Sequence, residues 1–223
     1  VIFAHESRNS IHGPTNCRGV IENLDRSLLE GESFTAESYR TRALAREWLN
    51  EVNEAVGEYR LALAKGIDQP WGIRQRVLQL QRAAKTLGDQ AYQRELDTFI
   101  SGSNVPEDLR FWAAEQKIAL LGAAGKHEEA DKFLTAHREE FTASRWSEQY
   151  EYLQALAWYH VGRLDDAERL LRKLRDEVIP GKALYVQVGW LLGTILQQHG
   201  SPEVALSLFD EVIAKGVPGP SRT

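Results

Sequence analysis

The chain has 223 residues, 43% hydrophobic and 26% charged, and its 27 basic and 32 acidic residues leave a formal charge of −5. That composition matches a globular protein and excludes a disordered or fibrous one, while the mild acidity offers no basic face to displace counterions from nucleic acid. A single cysteine, Cys17, excludes an internal disulfide framework or a cysteine-rich zinc cluster, and the longest apolar runs, such as 189–196, fall far short of a membrane span.

Residues 1–16 read as irregular and show no charged-then-apolar export pattern. Beyond them apolar residues recur at i, i+3, i+4 and i+7, and period-two strand runs are scarce, so the expected fold is all-α. Helices are expected at about 17–30, 35–56, 58–65, 70–87, 89–100, 106–124, 126–140, 145–161, 163–177, 182–199 and 202–215. Pro70, Pro106 and Pro202 fall in first turns, where the missing N–H is not needed, and Ser201 is placed to cap. Stops fall at Gly66, Gly88, Gly125, Gly162, Gly200 and Gly216, where glycine takes the left-handed conformation that ends a helix.

Four of these glycines carry a longer signal. Gly88, Gly125, Gly162 and Gly200 lie 37, 37 and 38 residues apart, the mark of a helical repeat. Five residues after the last three come Ala130, Ala167 and Ala205, and eight and nine after come Phe133-Leu134, Leu170-Leu171 and Leu208-Phe209. Small residues suit the point where two antiparallel helices approach most closely, and large ones fill the gap to the next hairpin. Acidic residues after each turn, as in Glu128-Glu129 and Asp165-Asp166, suit the positive end of the second helix.

On these residues the chain resembles the tetratricopeptide repeat family. The clearest stretch is Trp190-Leu191-Leu192-Gly193, followed by Gly200, Ala205, Phe209 and Pro218; the next is Trp158, Gly162, Ala167, Leu171 and Pro180. The resemblance covers about 70–218, with an earlier hairpin in which Ala62 follows Gly57. Three departures stand out: the period exceeds the usual ~34 residues, polar Glu151 and Gln154 occupy positions where apolar residues are expected, and Gln93 replaces the small alanine of the Gly88 unit. The resemblance implies an all-α α-solenoid of antiparallel helical hairpins wound into a right-handed superhelix. The organisation read from the sequence is an irregular segment at 1–16, N-terminal helices with a degenerate hairpin at 17–66, the repeat array at 70–218 and a tail at 219–223.

In the family the first helix of each hairpin lines a concave side that holds a peptide or a partner's helix. Carried over position by position, the face implied here comprises Gln149, Tyr152, Tyr159 and His160 of the Gly162 unit, with Leu156 among them, and Gln187, Trp190, Thr194, Gln197 and Gln198 of the last. The Gly125 unit adds Trp112, Glu115, Ala119, Gly122 and Ala123, and the Gly88 unit Gln75, Leu78, Arg82, Lys85 and Thr86. Tyrosine and tryptophan give broad contact area at low entropy cost, and glutamine matches the alternating amides and carbonyls of an extended backbone. Core packing is the competing account of the same spacing, above all for Trp112 and Leu156, and residues 1–16 are an alternative occupant of the groove.

Nothing local points to catalysis, a metal or a cofactor. No histidine has a second one three or four residues away, and Gly122-Ala-Ala-Gly125-Lys126-His127 lacks the first glycine, the Ser/Thr and the preceding strand of a phosphate loop. The basic stripe Arg169, Arg172, Lys173 and Arg175 is interleaved with acids and reads as salt-bridged surface, as does Arg40, Arg42 and Arg46 among Glu37, Glu47 and Glu51. The expected function is therefore non-enzymatic binding of a protein or peptide partner. The alternative is a regulatory sensor domain taking a small molecule or signalling peptide. Helix 202–215 ends the array with apolar Val204, Ala205, Leu208, Phe209, Val212 and Ile213, so self-association as a homodimer through the C-terminal repeat is a further expectation, with cover by the N-terminal region or tail as the other account.

Overall fold

The structure is a computed structural model describing residues 14–31 and 33–216. The described residues form α1 (Pro14–Leu29), α2 (Ala36–Trp48), α3 (Val52–Ala64), α4 (Pro70–Ala83), α5 (Asp89–Ser101), α6 (Glu107–Ala123), α7 (His127–Ala136), α8 (Arg138–Thr142), α9 (Ser147–His160), α10 (Leu164–Glu177), α11 (Ala183–Gln198) and α12 (Pro202–Gly216), with no strand among them. They pack as two compact units that divide inside α6, between Ala113 and Ala114. The expected irregular segment overlaps α1 at 14–16; its residues 1–13, Pro218 and the tail at 219–223 lie outside the described residues.

Six of the described helix ends share one closure. At Asn50, Gly66, Lys85, Gly125, Gly162 and Gly200 the backbone turns left-handed, and the next N–H donates to a carbonyl five residues back, as in Lys126→Leu121 at 2.9 Å, Arg163→Trp158 at 2.8 Å and Ser201→Leu196 at 2.9 Å. That bond satisfies one of the carbonyls a helix leaves open at its C-terminus. Two turns differ from expectation. The break in the first unit falls at Asn50, with Glu51 N donating to Arg46 O at 2.9 Å, so Gly57 lies inside α3 rather than at a turn. The next falls at Lys85 rather than Gly88, which is extended (φ −74°, ψ 159°) and opens α5. Two residues are thereby added before α5, so the position filled elsewhere by alanine is held by buried Tyr92, not by Gln93. The expected helix at 126–140 breaks at His137 into α7 and α8.

In the first unit α2 and α3 pair as a hairpin, with α1 against α2 and α4 against α3. Ala43, Val56, Tyr59, Val77 and Leu80 form one hydrophobic cluster there, flanked by Val52 and Ile73. Thr35 and Ser38 close a reciprocal capping box at the start of α2. Arg42 does not stay on the surface. Its guanidinium meets Asp25 of α1 at 2.6 Å and Glu58 of α3 at 2.8 Å and lies 4.7 Å from the centre of the Phe34 ring, while Arg40 keeps the surface partner Glu37 and Arg46, paired with Glu51, also lies 3.8 Å from Glu58.

In the second unit α9/α10 and α11/α12 are hairpins around one core, in which Leu171, Leu174, Val188, Leu192 and Ile195 are at most 1% exposed. Each side chain of that size contributes about 1.5–3 kcal/mol by leaving water. α11 and α12 approach closely because Gly189 and Gly193 have no side chain: a Cβ at Gly189 would collide with Val212, and one at Gly193 with the Phe209 ring. Glycine costs helix propensity there and contributes contact.

Candidate binding face

The nine expected face residues all lie on α9 and α11, the first helices of consecutive hairpins. On α11 the core side is taken by Val188, Leu191, Leu192 and Ile195, so residues a third of a turn or more away are pushed outward. Gln187, Trp190, Gln197 and Gln198 are exposed, and Thr194 is half-buried with its hydroxyl donating to the Trp190 carbonyl at 2.9 Å. Trp190, 46% exposed, lies against Phe209 of its own hairpin with ring centres 4.6 Å apart.

On α9, Gln149, Tyr152 and Tyr159 are half-buried and His160 is exposed. Burial raises the Tyr152 phenol above its ordinary pKa. The Gln198 amide donates to the Tyr159 hydroxyl at 3.0 Å, tying α11 to α9. His160 stacks on His127 of α7, centres 4.3 Å apart and planes 11° off parallel, and meets Tyr159 edge-on at 5.2 Å. Burial, then the charge of His127, holds the His160 imidazole below its ordinary pKa. Gln149 is hydrogen-bonded to Glu115 of α6, whose carboxyl is raised by burial while that bond pulls the other way. Tyr159, His160 and Gln198 thus form one cluster, Gln149 belongs with Glu115, and Trp190 stands on Phe209.

Several other carried-over positions are already engaged. Leu78 is 3% exposed and belongs to the core, and Leu156 packs on the core of the second unit. Arg82 pairs with Asp89 at 2.6 Å and covers the Tyr92 ring, and Lys85 is the turn residue itself.

A buried polar chain stands behind α9 that the repeat pattern does not reveal. The Tyr150 hydroxyl donates to Leu134 O at 2.8 Å, and Gln154, 5% exposed, donates to the Asp131 carboxylate at 2.7 Å. The Trp158 indole donates to the same oxygen at 3.0 Å, and Arg163 lies 3.7 Å from the other. Burial, the largest cause, pushes the Tyr150 phenol up to about 12. Gln154 is therefore a core residue with its hydrogen bonds made, which removes the penalty that marked it as out of pattern. Its only sequence signal is that it lies four residues from both Tyr150 and Trp158. Glu151, the other polar departure, binds Lys173 at 3.1 Å.

The basic stripe of α10 is paired throughout: Arg169 with Asp166, Arg172 with Glu168, Lys173 with Glu151, and Arg175 with Glu211. The Arg175–Glu211 pair borders a shallow groove of about 330 Å³ lined by Leu192, Leu196, Val204 and Leu208. Among the described residues no three His, Cys, Asp or Glu side chains converge on a metal position, and no helix is long and apolar enough to cross a membrane.

No protein-family model matches the chain, and no curated protein matches it. Solved structures do. The C-terminal part of a TPR repeat-containing protein from Cytophaga hutchinsonii is similar with a TM-score of 0.64 at 12% identity, over 89% of this chain and 75% of that one. YrrB, described as a TPR protein with an unusual peptide-binding site, gives 0.54 at 15% identity over 86% and 91%. The fold is a tetratricopeptide-like helical repeat. The apo form of the quorum sensor NprR from B. thuringiensis shares this tetratricopeptide-like architecture with a TM-score of 0.61 at 12% identity, over 90% of this chain and 60% of the sensor.

Proposed function

We propose that the chain is a non-enzymatic interaction module that holds an extended peptide segment of a partner protein on the outward face of α9 and α11. The observation that carries this reading is the Gln198–Tyr159 bond between consecutive first helices. It fixes a phenol and an amide side by side yet leaves the tyrosine O–H free to donate and the glutamine carbonyl free to accept. A peptide backbone needs that pair of opposite polarities. Exposed Gln187 and Gln197 continue it along α11, and Trp190 supplies an aromatic platform for one apolar side chain of the partner. The only formal carboxylate among the lining positions of the second unit is Glu115, so the face suits a neutral or mildly basic segment rather than an acidic one.

The test is a peptide library selected on the wild-type chain and re-measured on a Gln187→Ala/Trp190→Ala/Gln198→Ala variant whose melting is checked first. Selected peptides should lose about tenfold or more in affinity on the variant, as expected for removal of an aromatic anchor with its polar neighbours. Peptides that bind both proteins equally would move the site off this face. Selection of acidic segments would contradict the charge argument.

A further inference from the structure

The last hairpin differs in chemistry from those that turn at Asn50, Gly125 and Gly162. Counted from the left-handed turn residue, the ninth residue is Tyr59 after Asn50, Leu134 after Gly125 and Leu171 after Gly162, each at most 1% exposed. After Gly200 it is Phe209, which stays partly exposed.

The sixth and thirteenth positions sharpen the contrast. Asp131, sixth after Gly125, accepts from Gln154 and Trp158 of the next hairpin, and Glu168, sixth after Gly162, binds His199 of the next at 2.7 Å. Arg175, thirteenth after Gly162, pairs with Glu211 of the next. In α12 these places hold Leu206 and Ile213, 62% and 58% exposed.

The first unit shows what covers an apolar version of this face. Val56, sixth after Asn50, is 7% exposed and clusters with Tyr59, Ile73, Val77 and Leu80, the last three from α4. α4 is amphipathic: Ile73, Val77 and Leu80 recur at i, i+4 and i+7, with Arg74 and Arg76 on the flanks of that stripe and Arg82 on the far side, paired with Asp89. Arg76 anchors it by bonding Glu47. On α12, Leu206, Phe209 and Ile213 recur at i, i+3 and i+7, with exposed Asp210 between them and exposed Glu203 one turn earlier.

We propose that the outer face of α12 receives an amphipathic helix of a partner protein, its apolar stripe seated on Leu206, Phe209 and Ile213 as that of α4 seats on α3, and its basic residues against Glu203 and Asp210, where α3 has Asn53 and Arg60 instead. Charge complementarity selects this occupant. A second copy packed antiparallel across a two-fold axis would set Glu203 and Asp210 of both chains along the same side, with like charges opposed. This surface adjoins the α9/α11 face at Phe209, which packs on Trp190; the substitutions that test it, at Leu206 and Asp210, change neither of those residues.

The probe is a fluorescein-labelled, end-capped peptide of residues 68–85, the α4 sequence, alongside a version with Arg74, Arg76 and Arg82 changed to Glu, each titrated by anisotropy against the full chain. The wild-type chain should bind the basic peptide about tenfold more tightly than the acidic one. Leu206→Glu, at a position exposed enough to leave folding intact, should weaken the basic peptide about tenfold, and Asp210→Lys should remove the preference between the two peptides. Glu95→Lys, the same charge change on the exposed side of α5, should do neither. Binding blind to Leu206→Glu would mean that the peptide only exchanges into its own place in the first unit, and would overturn the proposal. Equal losses for Asp210→Lys and Glu95→Lys would reduce the effect to net charge. Sedimentation of the wild type as a dimer that Leu206→Glu dissociates would give the face to a second copy instead.

Discussion

The Trp158 indole N–H of α9 and the Asp131 carboxylate of α7 meet at 3.0 Å, and the same carboxylate oxygen takes the Gln154 amide at 2.7 Å. One acid thus satisfies two donors of the following hairpin, one of them on a side chain 5% exposed. Asp131→Ala should destabilise the chain by about 2–3 kcal/mol, because both donors lose their acceptor while out of water. Asp131→Asn keeps an acceptor oxygen and should cost about 1 kcal/mol. Urea unfolding of the three proteins side by side checks the order; an Asn variant as damaged as Ala would mean that the charge, through Arg163, matters more than the hydrogen bonds.

Arg42 and Glu58 make the opposite kind of polar contact, an ion pair at 2.8 Å with side chains 12% and 11% exposed. Glu58→Ala leaves a largely buried cation with only Asp25 and should cost about 3 kcal/mol. Arg42→Met/Glu58→Leu removes both charges and should recover part of that loss, since the two desolvation penalties vanish together while Arg46 keeps Glu51 and Asp25 is half exposed to water. Thermal melts of the single and double variants distinguish this from a simple loss of packing, in which the double variant would be the worse.

His160 is held below its ordinary value of 6.5 by burial and by His127 stacked 4.3 Å away. The unfolded chain therefore binds a proton at this site more readily than the folded one. Stability from this site is fully present above about pH 7 and is lost as pH falls from the unfolded value through the lowered folded one. Between pH 7.5 and 5 the wild type should lose more stability than His127→Gln, in which the second charge is gone. Denaturant midpoints at the two pH values give the comparison, and parallel losses would exclude the stacked pair as the source.

The helices are legible in the sequence because the 3.6-residue period and the glycine stops agree, and the hairpins at Gly125, Gly162 and Gly200 fall where the alanine and leucine spacing places them. Residues outside the core stripe of α11 can be placed facing outward for the same reason. What escapes is whatever depends on contacts between hairpins. His127 and His160 are 33 residues apart, Gln154 and Asp131 23, and Gln198 and Tyr159 39, and no local pattern joins them. Arg42 reads as surface because its neighbours in sequence are acidic; its partners come from α1 and α3. The turns at Asn50 and Lys85 escape because left-handed backbone is expected of glycine, and Gly57 and Gly88 lie close by.

Lys85 gives the sharpest check on that last point. It adopts φ 56° while Thr86 N donates to Gln81 O at 2.9 Å, so the closure bond is made at a residue whose Cβ disfavours it. The left-handed conformation costs a non-glycine residue about 1–2 kcal/mol, partly offset in a glycine variant by the greater freedom of the unfolded chain. Lys85→Gly should therefore stabilise the protein, by about 0.5–1 kcal/mol. Gly125→Ala, at φ 71°, should destabilise it by about 1 kcal/mol for the same reason in reverse. Gly88→Ala, at φ −74° with open space around the position, should stay within about 0.5 kcal/mol of wild type. Chemical denaturation of the three variants places the turn: a large loss at Gly88 with no gain at Lys85 would return it to the glycine.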